Sequence, residues 1–334
     1  MFDDTQVEEN FSAATLAGVA ILLEIGAEYR VLDMLRTQDY VDVTHAAKET
    51  NISEQVLGQY FEALKSAGLL ESLSATGDAG KYKASRYLAK AVHDVGYVSW
   101  GLRACQPLIA HAREFAKANG KAQSDYPRDG ELIARTSQWM GEKSFYPHAE
   151  EAILSLKPKK IVDLGCGSGR LLVKCLKQLP GTTGVGVDLS FVSCDIARKE
   201  AKDEGLSDRL DFIHSPIQAL TEDASPLFGA EVIHAGFVLH DLMPDEEPML
   251  IKLLAVCRSA APDATLIIVD AVPFAKNEDE RAFSAAFSYL HHGFMGRQLQ
   301  SEYAWSEKLA NAGFKSIEVQ KLGIPGGRLF VARQ

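Results

Sequence analysis

Histidine and aspartate side chains in the C-terminal half of the chain are suited to proton transfer or to metal binding. His240 and Asp241 follow an apolar segment, Glu231–Gly236, that is predicted to be a strand, and His291 and His292 stand together further along. Imidazole titrates near neutrality, which suits a general base. Imidazole and carboxylate ligands with open positions also suit iron(II) or zinc. The residues leave three interpretations open: His240 is a base, His240 and His292 hold a metal ion, or one adjacent histidine is exposed and the other contacts substrate.

A glycine-rich turn, residues 163–169 with the sequence DLGCGSG, indicates a nucleotide site. It follows an apolar segment, Lys160–Leu164, and precedes an amphipathic one, Leu171–Leu179, so it joins a predicted strand to a predicted helix. Glycine lets the backbone turn sharply and a ligand approach closely, and the helix presents unpaired N–H groups. Asp188 ends the next strand, where a carboxylate suits ribose hydroxyls. Arg170 stands where a dinucleotide fingerprint requires its third glycine, which argues against NAD.

Length and composition are those of an ordinary globular protein. The chain has 334 residues, more than one core usually holds, so two domains are expected. Its hydrophobic content is 46% and its charged content 24%, as in soluble proteins. The net charge of -10 argues against nucleic acid or an anionic membrane as a partner, because both require a basic surface.

Cysteine usage and the first residues of the chain predict a cytoplasmic protein. The five cysteines are an odd number without metal-binding spacing, which indicates free thiols in a reducing compartment. The acidic beginning, MFDDTQVEEN, is unlike a signal peptide. The longest largely apolar run, Phe11–Leu23, is too short to span a bilayer.

The second half of the chain alternates strands and helices as a doubly wound α/β domain does. Seven strands are predicted, at Lys160–Leu164, Gly184–Val187, Leu210–His214, Glu231–Gly236, Thr265–Asp270, Ser316–Gln320 and Arg328–Ala332. Ligands bind at the carboxyl ends of the strands in such sheets. Residues just past a strand, among them Ser215, Phe237 and His240, are therefore expected to face the site.

The N-terminal third is predicted to be a helical packing module. Ala13–Leu35 is apolar at helical spacing and, in its first half, on nearly all faces. It must therefore be buried, either within the domain or against another subunit. Asp42–Leu70 has the pattern of a helix-turn-helix, and Ser72–Lys83 looks like the wing of a winged-helix domain. The second helix, Ser53–Gly68, carries more acidic than basic residues. Because phosphate contacts require the opposite balance, dimerisation is favoured over DNA binding.

The glycine turn, in its D-x-G-x-G-x-G form, resembles motif I of the methyltransferases that use S-adenosylmethionine (SAM). The resemblance implies a Rossmann-like class I methyltransferase domain in which the glycine backbone faces the methionine part of SAM and the acid after the second strand holds the ribose. The cofactor-binding residues implied are Asp163, Gly165, Gly167, Gly169, Asp188, Ser215 and Phe237. One departure is visible: His214, Ser215 and Pro216 stand where the family often has an acid that contacts adenine.

The whole chain is similar to the small-molecule O-methyltransferases, whose N-terminal domain mediates dimer contacts. This similarity implies a homodimer, a winged-helix-like dimerisation domain at 1–95, a helical linker that roofs the substrate pocket at 96–155 and a SAM-binding domain at 156–334. The substrate-binding residues implied in the roof are Trp100, Arg103, Arg128 and Met140. Arginine is expected there because its planar fork matches a substrate carboxylate.

Leu239-His240-Asp241 looks like the L-H-D-W segment of plant-type O-methyltransferases, with Leu242 in place of the tryptophan. In that family the histidine is the general base that removes a phenol proton. His240, Asp241 and His292 together resemble the metal-binding set of the α-keto acid C-methyltransferases of nonribosomal peptide pathways. This second resemblance implies metal-assisted methylation of the β-carbon of an α-keto acid, with His240 and His292 holding a divalent or trivalent ion of iron or zinc. The alternative is metal-independent O-methylation with His240 as base.

Overall fold

The structure of the protein, a computed structural model, describes residues 12–73 and 78–334. The chain splits into two compact units. The first comprises the described residues up to Gln106 together with Arg128–Met140, and the second comprises Pro107–Pro127 together with Gly141–Gln334. Residues 96–155, predicted to be a linker, are therefore shared between the two units, and the linker role stays a prediction.

The first unit is mainly helical, with a small antiparallel sheet in the order β1-β3-β2. Its elements are α1 (Ala13–Glu28), α2 (Leu32–Thr37), β1 (Val41–Asp42), α3 (Val43–Thr50), α4 (Glu54–Ser66), β2 (Leu70–Ser72), β3 (Lys81–Ala84) and α5 (Leu88–Ser99), which a π-helix, Trp100–Ala104, continues. Ser53 caps α4 by accepting the N–H of Val56. Leu23 of α1 and Phe61 of α4 lie in one buried core.

The helix-turn-helix and the hairpin predicted for this region correspond to α3, α4 and the antiparallel pair of β2 and β3. Two parts of the sequence predictions, the chain start with Phe11 and residues 74–77 of the wing, lie outside the described residues. The winged-helix assignment and the dimerisation role stay predictions.

Four helices follow: α6 (Gln106–Ala110), α7 (Ala112–Asp125), α8 (Gly130–Ser144) and α9 (Tyr146–Leu156). From there strands and helices alternate as β4 (Lys160–Leu164), α10 (Arg170–Gln178), β5 (Thr183–Asp188), α11 (Phe191–Asp203), β6 (Leu210–His214), β7 (Val232–Gly236), α12 (Glu247–Ala260), β8 (Thr265–Ala271), α13 (Arg281–Tyr289), α14 (Glu302–Asn311), β9 (Ser316–Lys321) and β10 (Gly327–Arg333). This order confirms the predicted α/β alternation.

These last strands form one seven-stranded sheet in the order β6-β5-β4-β7-β8-β10-β9. The five strands from β6 to β8 pair in parallel, and β10 pairs antiparallel with both of its neighbours. The predicted seven-stranded α/β sheet is thereby confirmed. The chain reverses its direction of winding between β4 and β7, and the crevice at such a switch point is where open α/β sheets bind ligands.

Helices cover the central strands, so these strands read as apolar runs. All seven residues of β8, TLIIVDA, are buried, and side chains such as Val162, Ile233 and Leu266 fill the core. Asp270 is a carboxylate within this buried strand, and it requires a partner because a buried charge must be paired. Among the helices that the structure describes, none is both long enough and apolar enough to cross a membrane.

Candidate active site

The three glycines of the turn between β4 and α10 have distinct tasks. Gly165, Gly167 and Gly169 have φ values of 70°, 54° and 72°, a region that other residues enter at a cost. A Cβ on Gly165 would lie 2.7 Å from a methyl of Val238, and one on Gly169 would lie 2.5 Å from the Phe212 ring. A Cβ on Gly167 would meet nothing within 4 Å. Two glycines therefore permit close packing, and Gly167 leaves an open surface that fits a bound ligand.

Asp188, at the end of β5, fastens the glycine turn to the neighbouring loop. One carboxylate oxygen accepts the N–H of Gly167 at 2.8 Å, and the other accepts the N–H of Ser190 at 2.8 Å. Each oxygen keeps a further lone pair, so the carboxylate fits the two hydroxyls of a ribose. The first turn of α10, whose N-cap Gly169 has no side-chain bond, presents backbone N–H groups beside it.

Asp163 lies below the turn, inside the sheet. Its Oδ1 accepts a hydrogen bond from Nδ1 of His234 at 2.7 Å, and both residues are buried. The two residues are direct partners in the register of the parallel strands β4 and β7. His234 was missed at the level of the sequence, although a histidine inside an apolar strand requires a buried partner.

Ser215 and Phe237 each follow a strand, as expected, and each is fixed by its backbone. The N–H of Ser215 donates to the carbonyl of Asp188 at 2.9 Å, and the N–H of Phe237 donates to that of Val269 at 2.7 Å. Phe237 has a φ of 52°, which is rare for a bulky residue and is typical of strained positions near functional sites. Its ring centroid lies 4.9 Å from that of Phe145.

His240 and Asp270 form a buried pair at the carboxyl ends of β7 and β8. His240 lies in a 3₁₀ turn, Leu239–Leu242, and its Nδ1 donates to Oδ1 of Asp270 at 2.6 Å. The same oxygen accepts the N–H of Ala271 at 2.7 Å, which fixes the carboxylate. Nε2 of His240 faces Oδ1 of Asp241 at 3.8 Å. Because Nδ1 carries the proton, Nε2 has the lone pair that a general base uses.

The surroundings of His240 set its basicity. Burial disfavours the imidazolium and by itself lowers the pKa of His240, but the charge and hydrogen bond of Asp270, helped by Asp241, outweigh it. The net result is a pKa of His240 above its ordinary value of 6.5, although Arg297 opposes this shift. Asp270 was also missed in the sequence, where it looked like the end of an ordinary strand.

The adjacent histidines differ from the predicted arrangement. Both lie on a π-helix, Leu290–Phe294, that continues α13. The buried His291 contacts His240, with ring centroids 5.3 Å apart, and its Nδ1 donates to the carbonyl of Phe287. His292 is exposed, and its Nε2 accepts the N–H of Leu299 at 3.0 Å. Burial of part of its ring lowers the pKa of His292.

The ring that meets His240 is that of His291, and not that of His292, the residue predicted to bind a metal ion with His240. Nε2 of His292 is already bonded to the backbone, and Nδ1 of His240 is bonded to Asp270. Within residues 12–73 and 78–334, no group of three or more His, Cys, Asp or Glu side chains is arranged to hold a metal ion. Two adjacent residues on a helix point in different directions, so His291 faces His240 while His292 bonds to Leu299, and the metal role of His292 stays a prediction.

The four residues predicted to bind substrate lie in the first unit. Trp100 and Met140 are buried there, and a Cβ on Gly96 would lie 2.9 Å from the Met140 side chain. Arg103 forms ion pairs with Glu24 and, at 2.7 Å, with Glu28. Arg128 affects the thiol of Cys105 through charge and a hydrogen bond. These contacts are structural, and the substrate contact of these residues stays a prediction.

Comparison with known proteins finds similarity to methyltransferases. Residues 162–264 match the family model described as a methyltransferase domain. An indolepyruvate C-methyltransferase of Streptomyces griseus is 28% identical over 207 residues, which is 60% of this chain and 60% of the relative. A 2-ketoarginine methyltransferase of Streptomyces arginensis is 25% identical over 65% of this chain and 66% of its own length. The chain thus aligns with about two thirds or less of these two relatives.

A likeness in fold extends over nearly the whole chain. The structure of the mitomycin 7-O-methyltransferase MmcR superposes with a TM-score of 0.55 at 21% identity, covering 95% of this chain and 94% of the other. Residues 162–264 thus match a methyltransferase domain, and both relatives are named as methyltransferases.

Proposed function

We propose that the protein transfers the methyl group of SAM to the β-carbon of a small α-keto acid, with His240 as the base. The proposal rests on the His240–Asp270 pair. His240 lies in the turn past the carboxyl end of β7, at the same edge of the sheet as the glycine turn. The names of the two relatives denote C-methylation of indolepyruvate and methylation of 2-ketoarginine, and both substrates are 2-oxo acids.

The chemistry begins with proton removal. The β-proton of an α-keto acid is acidic because the carbanion is delocalised onto the keto oxygen as an enolate. Nε2 of His240 accepts this proton, and the imidazolium that forms is stabilised by Asp270 at 2.6 Å and by Asp241 at 3.8 Å. The two carboxylates thus favour the charge that develops on the base.

Methyl transfer then follows by substitution. The enolate carbon attacks the methyl carbon of SAM, the S–CH₃ bond breaks with its electron pair going to sulfur, and the products are the β-methylated keto acid and S-adenosylhomocysteine. The proton on His240 leaves to solvent. The protein's contribution to this step is to hold the two reactants in line.

For the cofactor, the proposal uses the open surface at Gly167, the close packing at Gly165 and Gly169, and the carboxylate of Asp188 for the ribose. Asp163 is proposed to act on the methionine end from below the turn, and Ser215 and Phe237 to border the nucleotide where their strands end. Replacing Gly167 by Val fills the open surface, so SAM binding measured by calorimetry is expected to be lost.

Metal assistance by iron or zinc is a separate prediction, and no step above passes through a metal ion. Elemental analysis of the purified protein and turnover after exhaustive chelation test it. The His292→Ala variant adds a second measurement: loss of bound metal together with loss of turnover supports the metal role, whereas full turnover contradicts it.

The decisive experiment offers SAM with indolepyruvate, phenylpyruvate and 2-ketoarginine and identifies the product by NMR. A new methyl group on C3 is expected. In D₂O without SAM, the protein is also expected to exchange the C3 proton of the accepted substrate, and His240→Gln is expected to abolish this exchange. Neither methylation nor C3 exchange with any α-keto acid would contradict the proposal.

O-methylation is the second candidate, because the same base can remove a hydroxyl proton and because the fold is shared with an O-methyltransferase. A methyl ether as product, with no C3 exchange, identifies this alternative.

A homodimer is also proposed, from the largely apolar α1, where Ile21 is 62% exposed. Sedimentation of the wild type and of Ile21→Glu tests this proposal. A monomeric wild type contradicts it.

A further inference from the structure

Arg297 lies beside the proposed base without having been indicated by the sequence. Its Nε is 3.5 Å from Oδ1 of Asp241, and the same oxygen is 3.8 Å from Nε2 of His240. Because both distances are measured to the same oxygen, Nε of Arg297 lies within about 7 Å of Nε2 of His240. An α-keto acid spans roughly that distance when the hydrogen bond from Arg297 to its carboxylate and the contact of His240 with its β-carbon are included.

The guanidinium of Arg297 has hydrogen-bond donors that are available to a ligand. Asp241 faces its Nε edge, and its two Nη groups make no hydrogen bond to any residue that the structure describes. The Arg297 side chain is 36% exposed, so these donors are accessible. A planar guanidinium with an open Nη edge is the group that binds carboxylate in a bidentate manner.

The backbone around Arg297 is fixed. The N–H of Arg297 donates to the carbonyl of His291 at 2.9 Å, and the next N–H, of Gln298, donates to that of Met243 at 3.0 Å. The following N–H, of Leu299, donates to Nε2 of His292. Hydrogen bonds from three consecutive backbone N–H groups, two to carbonyls and one to the His292 ring, thus tie this loop to the π-helix and to the chain just past His240. His292, which was predicted from the sequence to be a metal ligand, accepts one of these bonds and so helps to fix the loop.

We propose that Arg297 binds the carboxylate of the acceptor substrate and thereby selects 2-oxo acids over neutral acceptors. This inference rests on the proposed function, since it names the group that orients the substrate of the same site. With C1 held by Arg297, the β-carbon is turned toward Nε2 of His240, which favours removal of its proton. The positive charge also stabilises the negative charge of the enolate. A neutral acceptor such as an ester lacks the carboxylate contact, so Arg297 does not hold its C1.

The test compares Arg297→Gln and Arg297→Lys with the wild type, on phenylpyruvate and on its methyl ester. Arg297→Gln is expected to raise the KM for phenylpyruvate roughly 10- to 100-fold, the loss typical of charge-assisted hydrogen bonds. Its KM for the ester and its Kd for SAM are expected to stay unchanged. Arg297→Lys, which keeps the charge without the fork, is expected to recover part of the loss. A merely structural Arg297 would affect acid and ester alike.

Arg281→Gln is the matched control, because Arg281 also pairs with one carboxylate, Glu278 at 3.3 Å, and is exposed. It is expected to leave both KM values unchanged. If Arg297→Gln folds, binds SAM and keeps the wild-type preference for acid over ester, the inference is wrong while the proposed function stands. Binding of phenylpyruvate to the protein saturated with S-adenosylhomocysteine gives a readout independent of turnover, and equal affinities of wild type and Arg297→Gln would also overturn the inference. If the wild type neither binds nor methylates any α-keto acid, the proposed function itself fails.

Discussion

The sheet of the second unit holds two histidine–aspartate pairs that are nearly identical as pairs. His234 meets Asp163 at 2.7 Å and His240 meets Asp270 at 2.6 Å, in each case through Nδ1. The four side chains are between 1% and 7% exposed. Bond length and burial therefore do not distinguish the pair proposed to be catalytic, His240–Asp270, from the other pair.

The two pairs differ in what the second ring nitrogen meets. Nε2 of His234 is buried without a hydrogen-bond partner among the described residues, because its strand continues beside it to Gly236. Nε2 of His240 lies in the turn past the strand and faces Asp241, which is half exposed. Position along the strand decides the difference, since only the carboxyl ends of a parallel sheet open onto its binding crevice.

The strongest test of this difference between the two pairs is to replace His240 and His234 one at a time. His240→Gln is expected to lower kcat by about 10²- to 10⁴-fold, because a general base typically contributes that much. SAM affinity is expected to stay unchanged. His234→Gln is the matched control, with kcat near that of wild type at saturating SAM. Equal losses of kcat in the two variants would contradict the distinction between the pairs.

The His234–Asp163 pair, which is expected to matter little for kcat, is expected to contribute to the stability of the fold. His234→Leu leaves the carboxylate of Asp163 buried without its partner, and breaking such a pair costs about 3 kcal/mol in the free energy of unfolding. Urea denaturation of the variant and the wild type measures this cost. A loss below experimental error would show that the inner pair contributes nothing to the fold.

Asp270→Asn sharpens the comparison through pH. Without this carboxylate, burial lowers the pKa of His240. The wild type is expected to lose activity as the pH falls through a pKa above 6.5, because the base must be neutral. In Asp270→Asn the acid limb of kcat/KM should move to lower pH, and kcat should fall on the order of 10-fold as the ring loses its orientation. An unchanged acid limb would mean that His240 does not control the profile.

The smallest expected effect is on stability against pH. The folded-state pKa of His240 is raised above 6.5, so its protonation stabilises the fold below about pH 6.5, and this contribution is lost as the pH rises through the folded-state pKa. The stability difference between wild type and His240→Gln should therefore shrink with rising pH. Parallel curves would show that the pair titrates alike in the folded and unfolded chain.

Much of the second unit was predictable. Its strands were predicted within about a residue of their observed bounds, because buried parallel strands are short apolar runs separated by turn residues. The turn at residues 163–169 and Asp188 were identified because glycine and a carboxylate at that spacing have few other uses. The linker at 96–155 stays a prediction, and the division of its helices between two compact units is a feature that no local pattern in the sequence indicates.

The sequence by itself determined the α/β class of fold and the position of the glycine turn, and it indicated His240 as a candidate base, because each depends on residues close together along the chain. Only the tertiary structure decided which groups surround His240. It brings Asp270, His291 and Arg297 from three other segments and turns His292 toward the backbone of Leu299. Such contacts depend on strand order and on the direction of each side chain around a helix, which neighbouring residues in the sequence do not encode.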